Sequence, residues 1–261
     1  MTQPITASYL SQHTQISILV ATWNCVGQLE HFLNSLFHQT FCDWELILLD
    51  NESKDGTAEL IRSFQAKIQR PQNLIWTSQP DSGIYDAWNR GLRLARGRYL
   101  CFIGADDIFI DDHSLARLLP HIYADHDLIT VRNAYYSPRG HFLRCWGSGW
   151  NWSRMRQSMN IAHPGMLIKR GLFERFGSFD ASYRICGDYE WFLRLPPSLS
   201  SVHTTDTILK VVQAGVSHTR IGLVYSETFS AQCRHIGLWL SCLFWLLNWA
   251  KYLRRRLIGL A

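Results

Sequence analysis

Two adjacent carboxylates, Asp106 and Asp107, follow the apolar run Tyr99-Leu100-Cys101-Phe102-Ile103 and a Gly104-Ala105 step. The apolar run predicts a strand inside a sheet. Two acids at its end bring like charges together, and each raises the cost of ionising the other. A divalent cation that prefers carboxylate oxygens, Mg2+ or Mn2+, offsets that cost and keeps positions open for substrate phosphates. The competing reading of either acid is a helix cap. Three more clusters come just after apolar runs: Trp23-Asn24, Asp50-Asn51 and Asp81.

The elements that must position these groups are legible from periodicity. Ile16–Ala21 predicts a first strand, and Gly27–Gln39 a helix with Leu29, Phe32, Leu33, Leu36 and Phe37 at helical spacing. Trp44–Leu49 predicts a second strand, Asn51–Gly56 a turn, and Thr57 the start of a helix carrying Leu60, Ile61, Phe64 and Ile68. Leu74–Thr77 is a third strand, Ile84–Ala95 a third helix stopped near Gly97, and Tyr99–Ile103 a fourth strand. Strictly alternating strands and helices with short connections imply an α/β fold, a Rossmann-like, mainly parallel sheet with helices on both faces. Ligands of such sheets bind beyond the carboxyl ends of the strands, where all four clusters lie.

The later chain is less regular. Asp127–Arg132 and Phe142–Trp146 are expected to pair across a turn at Ser137-Pro138-Arg139-Gly140. Gly165–Ile168 and Ile208–Gln213 are expected strands, and Gly171–Phe176 and Gly187–Leu195 short helices. The expected organisation is a polar segment over 1–15, a first half over 16–107 that carries the strand-end clusters, a second half of the same domain over 108–226, and an apolar, basic helical tail over 227–261.

Size and composition bound the function. The 261 residues suit one large α/β domain or two small ones, and 47% hydrophobic content allows a full core. A net charge of +5 suits anionic substrates or an anionic membrane face but is too diffuse for nucleic acid. Seven cysteines, an odd number with no C-x-x-C pair, point to free thiols in a reducing compartment and away from a zinc site or disulfide framework. Met1–Gln15 has no secretory leader pattern, so a cytoplasmic location is expected. Ile236–Ala250 carries no charge, holds Trp239, Trp245 and Trp249, and is followed by Lys251, Arg254, Arg255 and Arg256. The apolar stretch is short for a bilayer span, which needs about 20 residues. Interfacial tryptophans beside a basic cluster predict a helix over 236–256 lying on the membrane surface; a homodimer or core helix is the alternative.

The order of the clusters resembles family 2 inverting glycosyltransferases, enzymes of GT-A fold that include bacterial surface-polysaccharide transferases. The resemblance rests on Ser17–Asn24, Leu36–Thr40 and Glu45–Thr57. It continues through Asp81–Gly91, Ala95-Arg96-Gly97, Gly104–Asp107, His163-Pro164-Gly165, Phe179-Asp180 and Gly187–Glu190. Trp23 stands where the family usually has Tyr, and Trp88 where Met is common. The Gln/Arg-x-x-Arg-Trp motif of processive synthases is absent from the tail, which favours transfer of a single sugar.

The resemblance implies that 16–107 is the nucleotide-sugar-binding half and 108–226 the acceptor-binding half of one GT-A domain, and it implies roles residue by residue. Asp107 would hold Mn2+ or Mg2+, with Asp106 sharing the ion or binding the donor ribose. Ala21, Trp23, Asn24, Asp50 and Asn51 would contact the base and ribose, with Trp23 stacking on the base. Asp81, Gly83, Asp86 and Asn89 would lie along the donor sugar and diphosphate. Arg90 would reach phosphate or sit as a solvated helix position. Asp188 would be the catalytic base, with helix capping as its bland alternative and Glu190 structural. His163, Arg184 and His218 are candidates for acceptor or phosphate contacts. The implied donor is a nucleotide-diphosphate sugar, most simply UDP-linked, and the acceptor a lipid-linked or surface glycan at the inner face of the cytoplasmic membrane. Two rivals are a membrane-associated nucleotide-sugar-binding protein without catalysis and a sugar-nucleotide nucleotidyltransferase. The second would want a Gly-rich basic loop where Trp23–Gln28 stands.

Overall fold

A computed structural model describes residues 14–67, 73–213 and 215–257 of the chain. The first half alternates β1 (Ile16–Thr22), α1 (Val26–Phe37), β2 (Trp44–Asp50), α2 (Thr57–Lys67), β3 (Leu74–Ser78), α3 (Ile84–Leu94) and β4 (Tyr99–Phe102). After it come β5 (Ile108–Phe109), α4 (Leu119–Tyr123), β6 (Leu128–Tyr136), β7 (Phe142–Trp146), α5 (Trp152–Met155), β8 (Ala162–Lys169), α6 (Arg170–Phe176) and α7 (Gly187–Leu193). β9 (Ser201–Val212), α8 (Val216–Thr219), α9 (Ile221–Ile236) and α10 (Leu238–Leu257) complete the chain.

All the strands form one sheet in the order β3-β2-β1-β4-β8-β6-β9-β5, with β7 added to β6. The four strands of the first half are parallel throughout, with Thr22 opposite Asp50 and Asp50 opposite Ser78. Beyond β4 the sheet is mixed: β8 runs antiparallel to β4 and β6, while β6 and β9 are parallel. Successive residues Ile18, Leu19 and Val20 are all inaccessible to solvent. Neighbours on a strand point to opposite faces, so both faces of β1 are covered.

Two contacts show why the sequence packs this way. Gly91 lets α3 sit on the sheet, because a Cβ there would lie 2.7 Å from both Leu19 and Leu49. Glu45 is a buried charge, and its carboxylate accepts from Ser17 Oγ at 2.7 Å, Arg96 N at 2.6 Å and Arg96 Nε at 2.8 Å. Ser17 Oγ in turn accepts the Gly97 N–H, where a Cβ would meet the Ser17 backbone at 2.4 Å. The Ala95-Arg96-Gly97 signature is therefore a lock at the foot of the sheet, at the other end of β4 from the acid pair.

Several expected elements differ. Phe142–Trp146 does pair with the preceding strand, but with Asn133–Tyr136, because Leu128–Val131 is taken by β8. β8 starts at Ala162, so His163 and Pro164 are part of a strand. β9 starts at Ser201, seven residues before the apolar Ile208 that signals it. Ile68 lies outside the described residues, as does all but the end of the polar segment 1–15. The tail is two helices: Gly237, at φ 85°, breaks α9 from α10 and folds them into a hairpin. No helix among the described residues is long and apolar enough to cross a membrane. All seven cysteines are unpaired, Cys101 and Cys186 buried, Cys42 and Cys145 exposed.

Candidate active site

The acid pair lies just beyond β4. Asp107 is buried, with one oxygen taking the Gly104 N–H at 2.9 Å. Burial and the neighbouring Asp106 push its carboxyl up to about 8, and burial also raises Asp106. Gly104 is required by this geometry: a Cβ would stand 2.7 Å from Asp106 Oδ1 and 3.1 Å from Asp107 Oδ2. Neither acid forms an ion pair among the described residues. A buried and a half-buried carboxylate with no ion-pair partner and a cramped backbone fit a small divalent ion, which would supply the missing charge. No group of three His, Cys, Asp or Glu side chains gathers into a metal cluster among the described residues, so His218 does not complete such a set. His218 lies on α8, where burial and nearby Arg144 hold its imidazole below its usual range.

At the ends of β1 to β3 the polar residues divide into exposed and internal ones. Trp23 is 67% exposed, an open indole face at the end of β1. Ala21, half-buried, pairs with Leu49 in the sheet. Asp50 is fully buried, and its oxygens accept Thr22 Oγ1 at 3.1 Å, Ser53 N at 3.0 Å, Ser53 Oγ at 2.5 Å and Ser78 Oγ at 2.7 Å. Four donors leave it little capacity for a ligand; it ties three strand ends together. Asn24, at φ 46°, exchanges hydrogen bonds with Ser53 Oγ and the Lys54 N–H. Asn51 accepts the Asp81 N–H at 3.0 Å.

The start of α3 meets the approach to α7. Gly83, at φ 144°, has a conformation side chains rarely adopt, and its N–H donates to Asp81 Oδ1 at 3.0 Å. Burial raises the Asp81 carboxyl against the opposing pull of Gly83 N–H and Arg90. Asp86 accepts the Ser82 N–H at 3.0 Å. Arg184 crosses to this loop, donating to the Ser82 carbonyl at 2.9 Å, and is exposed at the Gly83 turn. Asn89 is not free for a ligand: its amide clamps the Phe179 backbone, donating to the carbonyl at 2.8 Å and accepting the N–H at 3.0 Å. Arg90 is neither solvated nor open to phosphate; it is buried and holds the Gln79 and Pro80 carbonyls and Asp81.

Asp188 sits in the first turn of α7, partly exposed. One oxygen accepts the Tyr189 N–H at 2.8 Å and faces the Tyr85 hydroxyl at 3.1 Å; the other is 3.2 Å from His163 Nδ1. The Tyr85 hydroxyl also lies 2.5 Å from the Ile185 carbonyl. Burial and the charge of Asp188 keep this phenol well above its usual range, so it stays a donor. His163 is buried against Trp88 and Phe192 edges, with its Nε2 unpaired among the described residues. The sequence assigns no role to two supports of Asp188. Tyr85 is one. Glu227 of α9 accepts the N–H groups of Arg184, Ile185 and Cys186 at 2.8–2.9 Å, holding the loop before α7. Glu190, buried on α7, is bound by Arg194 and by His235 at 2.6 Å. Burial acts to raise its carboxyl, but these two partners outweigh it and hold it below its usual value. Glu190 is thus structural, as expected.

A sheet parallel through its first half, with acids at the ends of its strands and a further carboxylate opening a later helix, belongs to the class of GT-A glycosyltransferase folds. The match to the Glycosyl transferase family 2 model covers residues 17–175, so the chain belongs to that family and is a glycosyltransferase. The "PGL/p-HBAD biosynthesis glycosyltransferase" of Mycobacterium tuberculosis (strain H37Rv) is 33% identical over 178 residues, 68% of each chain. Among solved structures, S. aureus TarS 1–349 superposes with a TM-score of 0.68 at 17% identity, covering 85% of this chain and 65% of that one. The mannosyltransferase PcManGT from Pyrobaculum calidifontis, in complex with GDP-Man and Mn2+, gives 0.64 at 17% identity, covering 90% and 71%.

Proposed function

We propose that this glycosyltransferase is metal-dependent and inverting, and moves one sugar from a nucleotide-diphosphate donor, most simply UDP-linked, to an acceptor hydroxyl. Asp188 takes the hydroxyl proton as the oxygen attacks the anomeric carbon, and the bond from that carbon to the diphosphate breaks on the opposite face. Asp106 and Asp107 would hold Mn2+ or Mg2+, which neutralises charge on the leaving diphosphate. Trp23 stacks on the base, Arg184 and the Gly83 loop border the diphosphate, and His163 and Tyr85 orient Asp188. The observation that carries the reading is the setting of Asp188. Three groups fix the carboxylate while it stays partly open to solvent. A helix cap alone needs none of the Tyr85 and His163 contacts.

TarS has been solved with UDP-GlcNAc and PcManGT with GDP-Man and Mn2+, so related folds accept uridine and guanosine donors. The exposed apolar face of α10, with Trp239 89% exposed and Lys251 and Arg254 near its end, supports peripheral contact with the inner face of the cytoplasmic membrane and a lipid-linked or surface-glycan acceptor. The test is release of free nucleoside diphosphate from a panel of nucleotide sugars with Mn2+ or Mg2+, with and without a lipid extract. Metal-dependent release from one donor, raised by lipid, is expected. Metal-dependent nucleotide binding with no release from any donor would favour the non-catalytic reading.

A further inference from the structure

Two cavities share Tyr225 as a wall, and Asp188 lines one of them. The first, of about 490 Å³, lies between α7 and the tail hairpin, with Asp188 and Tyr189 on one wall and Tyr225, Asn248 and Tyr252 on the other. Exposed Ser217 and Lys251 stand among its lining residues. The second, of about 580 Å³, is a groove between α9 and α10 lined by Phe229, Trp245, Leu246 and Trp249. Tyr225 lines both, and its ring stacks on Trp249 at 4.9 Å. The groove lies beside the exposed apolar side of α10, where Leu243, Leu246 and Leu247 are 46–60% exposed.

We infer that these two cavities are one acceptor site, taking a glycoside with a long apolar aglycone: the sugar lies beside Asp188 and the chain in the α9–α10 groove. The inference rests on the transferase reading only in assigning the hydroxyl to Asp188. Three observations fix the occupant. The carboxylate opens into the first cavity, so what lies there has a hydroxyl to offer. The second cavity is walled by aromatic and aliphatic side chains, which favour hydrocarbon over a polar chain. Lys251 lines the first cavity, where its ammonium can donate to the hydroxyls of a sugar. A soluble sugar acceptor would use the first cavity alone and gain nothing from the groove. Each methylene moved from water into the groove strengthens binding by about three- to fourfold.

The test uses the full chain and a dodecyl glycoside with a diazirine at the chain end, kept below its micelle concentration, and labelled peptides are mapped. Expected is saturable labelling of α9 and α10, displaced by dodecyl glycoside and not by methyl glycoside at the same concentration. Leu246→Arg, which puts a charge into the groove, should reduce labelling at least about tenfold. Leu247→Arg, on the same helix but lining neither cavity, should leave it within about twofold. Ser217→Trp, which narrows the first cavity, should also weaken it. Equal effects of the two arginines, or no effect of Ser217→Trp, would overturn the inference. So would equally strong labelling by a diazirine phospholipid in vesicles that displaces the glycoside, since the groove would then be a membrane seat only. Donor turnover with the glycoside present in the same preparation separates the readings. Specific labelling with turnover unchanged by Asp188→Asn would leave the glycolipid site standing and remove Asp188 from the chemistry.

Discussion

Gly187→Ala tests whether Tyr85 positions Asp188, the proposed catalytic carboxylate. A Cβ at Gly187 would lie 2.8 Å from Tyr85 Cδ2 and Cε2 and 3.0 Å from Cγ. Carbon contacts settle near 3.5–4.0 Å, so the ring must retreat by about 0.7–1 Å. It has little room, being buried and packed on Trp88 at 5.6 Å and Phe179 at 5.5 Å. Overpacking of this kind costs about 1–3 kcal/mol, or roughly 2–12 °C in Tm for a chain of this size. The catalytic consequence is larger than the thermal one. The hydroxyl that braces Asp188 moves with the ring, and misplacement of about 1 Å can cost about 100-fold in rate. Steady-state assays should therefore show kcat down about 10- to 100-fold with donor KM within about threefold. Tyr85→Phe, which removes the hydroxyl without a clash, should lower kcat about tenfold with little change in Tm. If both act through that hydroxyl, the double variant will show far less than the product of the single effects. Wild-type kcat in a destabilised Gly187→Ala protein, or full additivity with Tyr85→Phe, would refute the positioning role.

Metal-free protein should lose stability as pH rises, because the folded Asp107 carboxyl sits at about 8 against 3.8 for the ordinary group. A raised carboxyl contributes fully below the unfolded value and loses that contribution as pH climbs to about 8, a loss of up to about 5 kcal/mol. Thermal melts in EDTA from pH 5 to 8 should show this fall, Asp107→Asn should flatten it, and Mn2+ should raise Tm at pH 8 in the wild type alone. Glu227→Ala removes the acceptor of three backbone N–H groups, each such bond to a charge being worth about 1.5–3 kcal/mol, though not additively. It should lower kcat at least tenfold while calorimetry still finds metal-dependent nucleotide binding. Trp23→Ala should weaken nucleotide binding by about 1–3 kcal/mol, the usual range for a base stacked on an aromatic ring, as read by titration calorimetry.

The first half of the fold could be read because β1, β2 and β4 are buried on both faces and therefore mostly apolar. Trp44–Leu49 needs no partner to announce itself. The second half could not, because its strands take their character from pairing. Ser201–Asp206 is polar in sequence yet forms the start of β9 beside β6. The same division runs through the site. Asp107 and Asp188 stand in recognisable patterns, and the structure gives each a setting that suits its implied role. Asp50, Asn89 and Arg90 stand in equally recognisable patterns, yet their polar atoms are spent on the protein's own strand ends and loops. A motif records which residue type is needed, not whether it faces ligand or backbone. Glu227 lies 39 residues beyond Asp188 in the tail, and Tyr85 lies 103 residues before it; only folding brings Tyr85 to the carboxylate and Glu227 to the loop before it.

The central claim is that Asp188 performs the chemistry while Asp106 and Asp107 hold donor and metal. It is tested most directly by comparing Asp188→Asn with wild type in two assays on one preparation: metal-dependent nucleotide binding by calorimetry, and nucleoside diphosphate release from the active donor. The account predicts binding within about twofold of wild type and release down at least about 1,000-fold, in keeping with loss of a general base. Release within tenfold of wild type would contradict it and leave Asp188 as a structural acid in the first turn of α7, whose N-cap is Cys186.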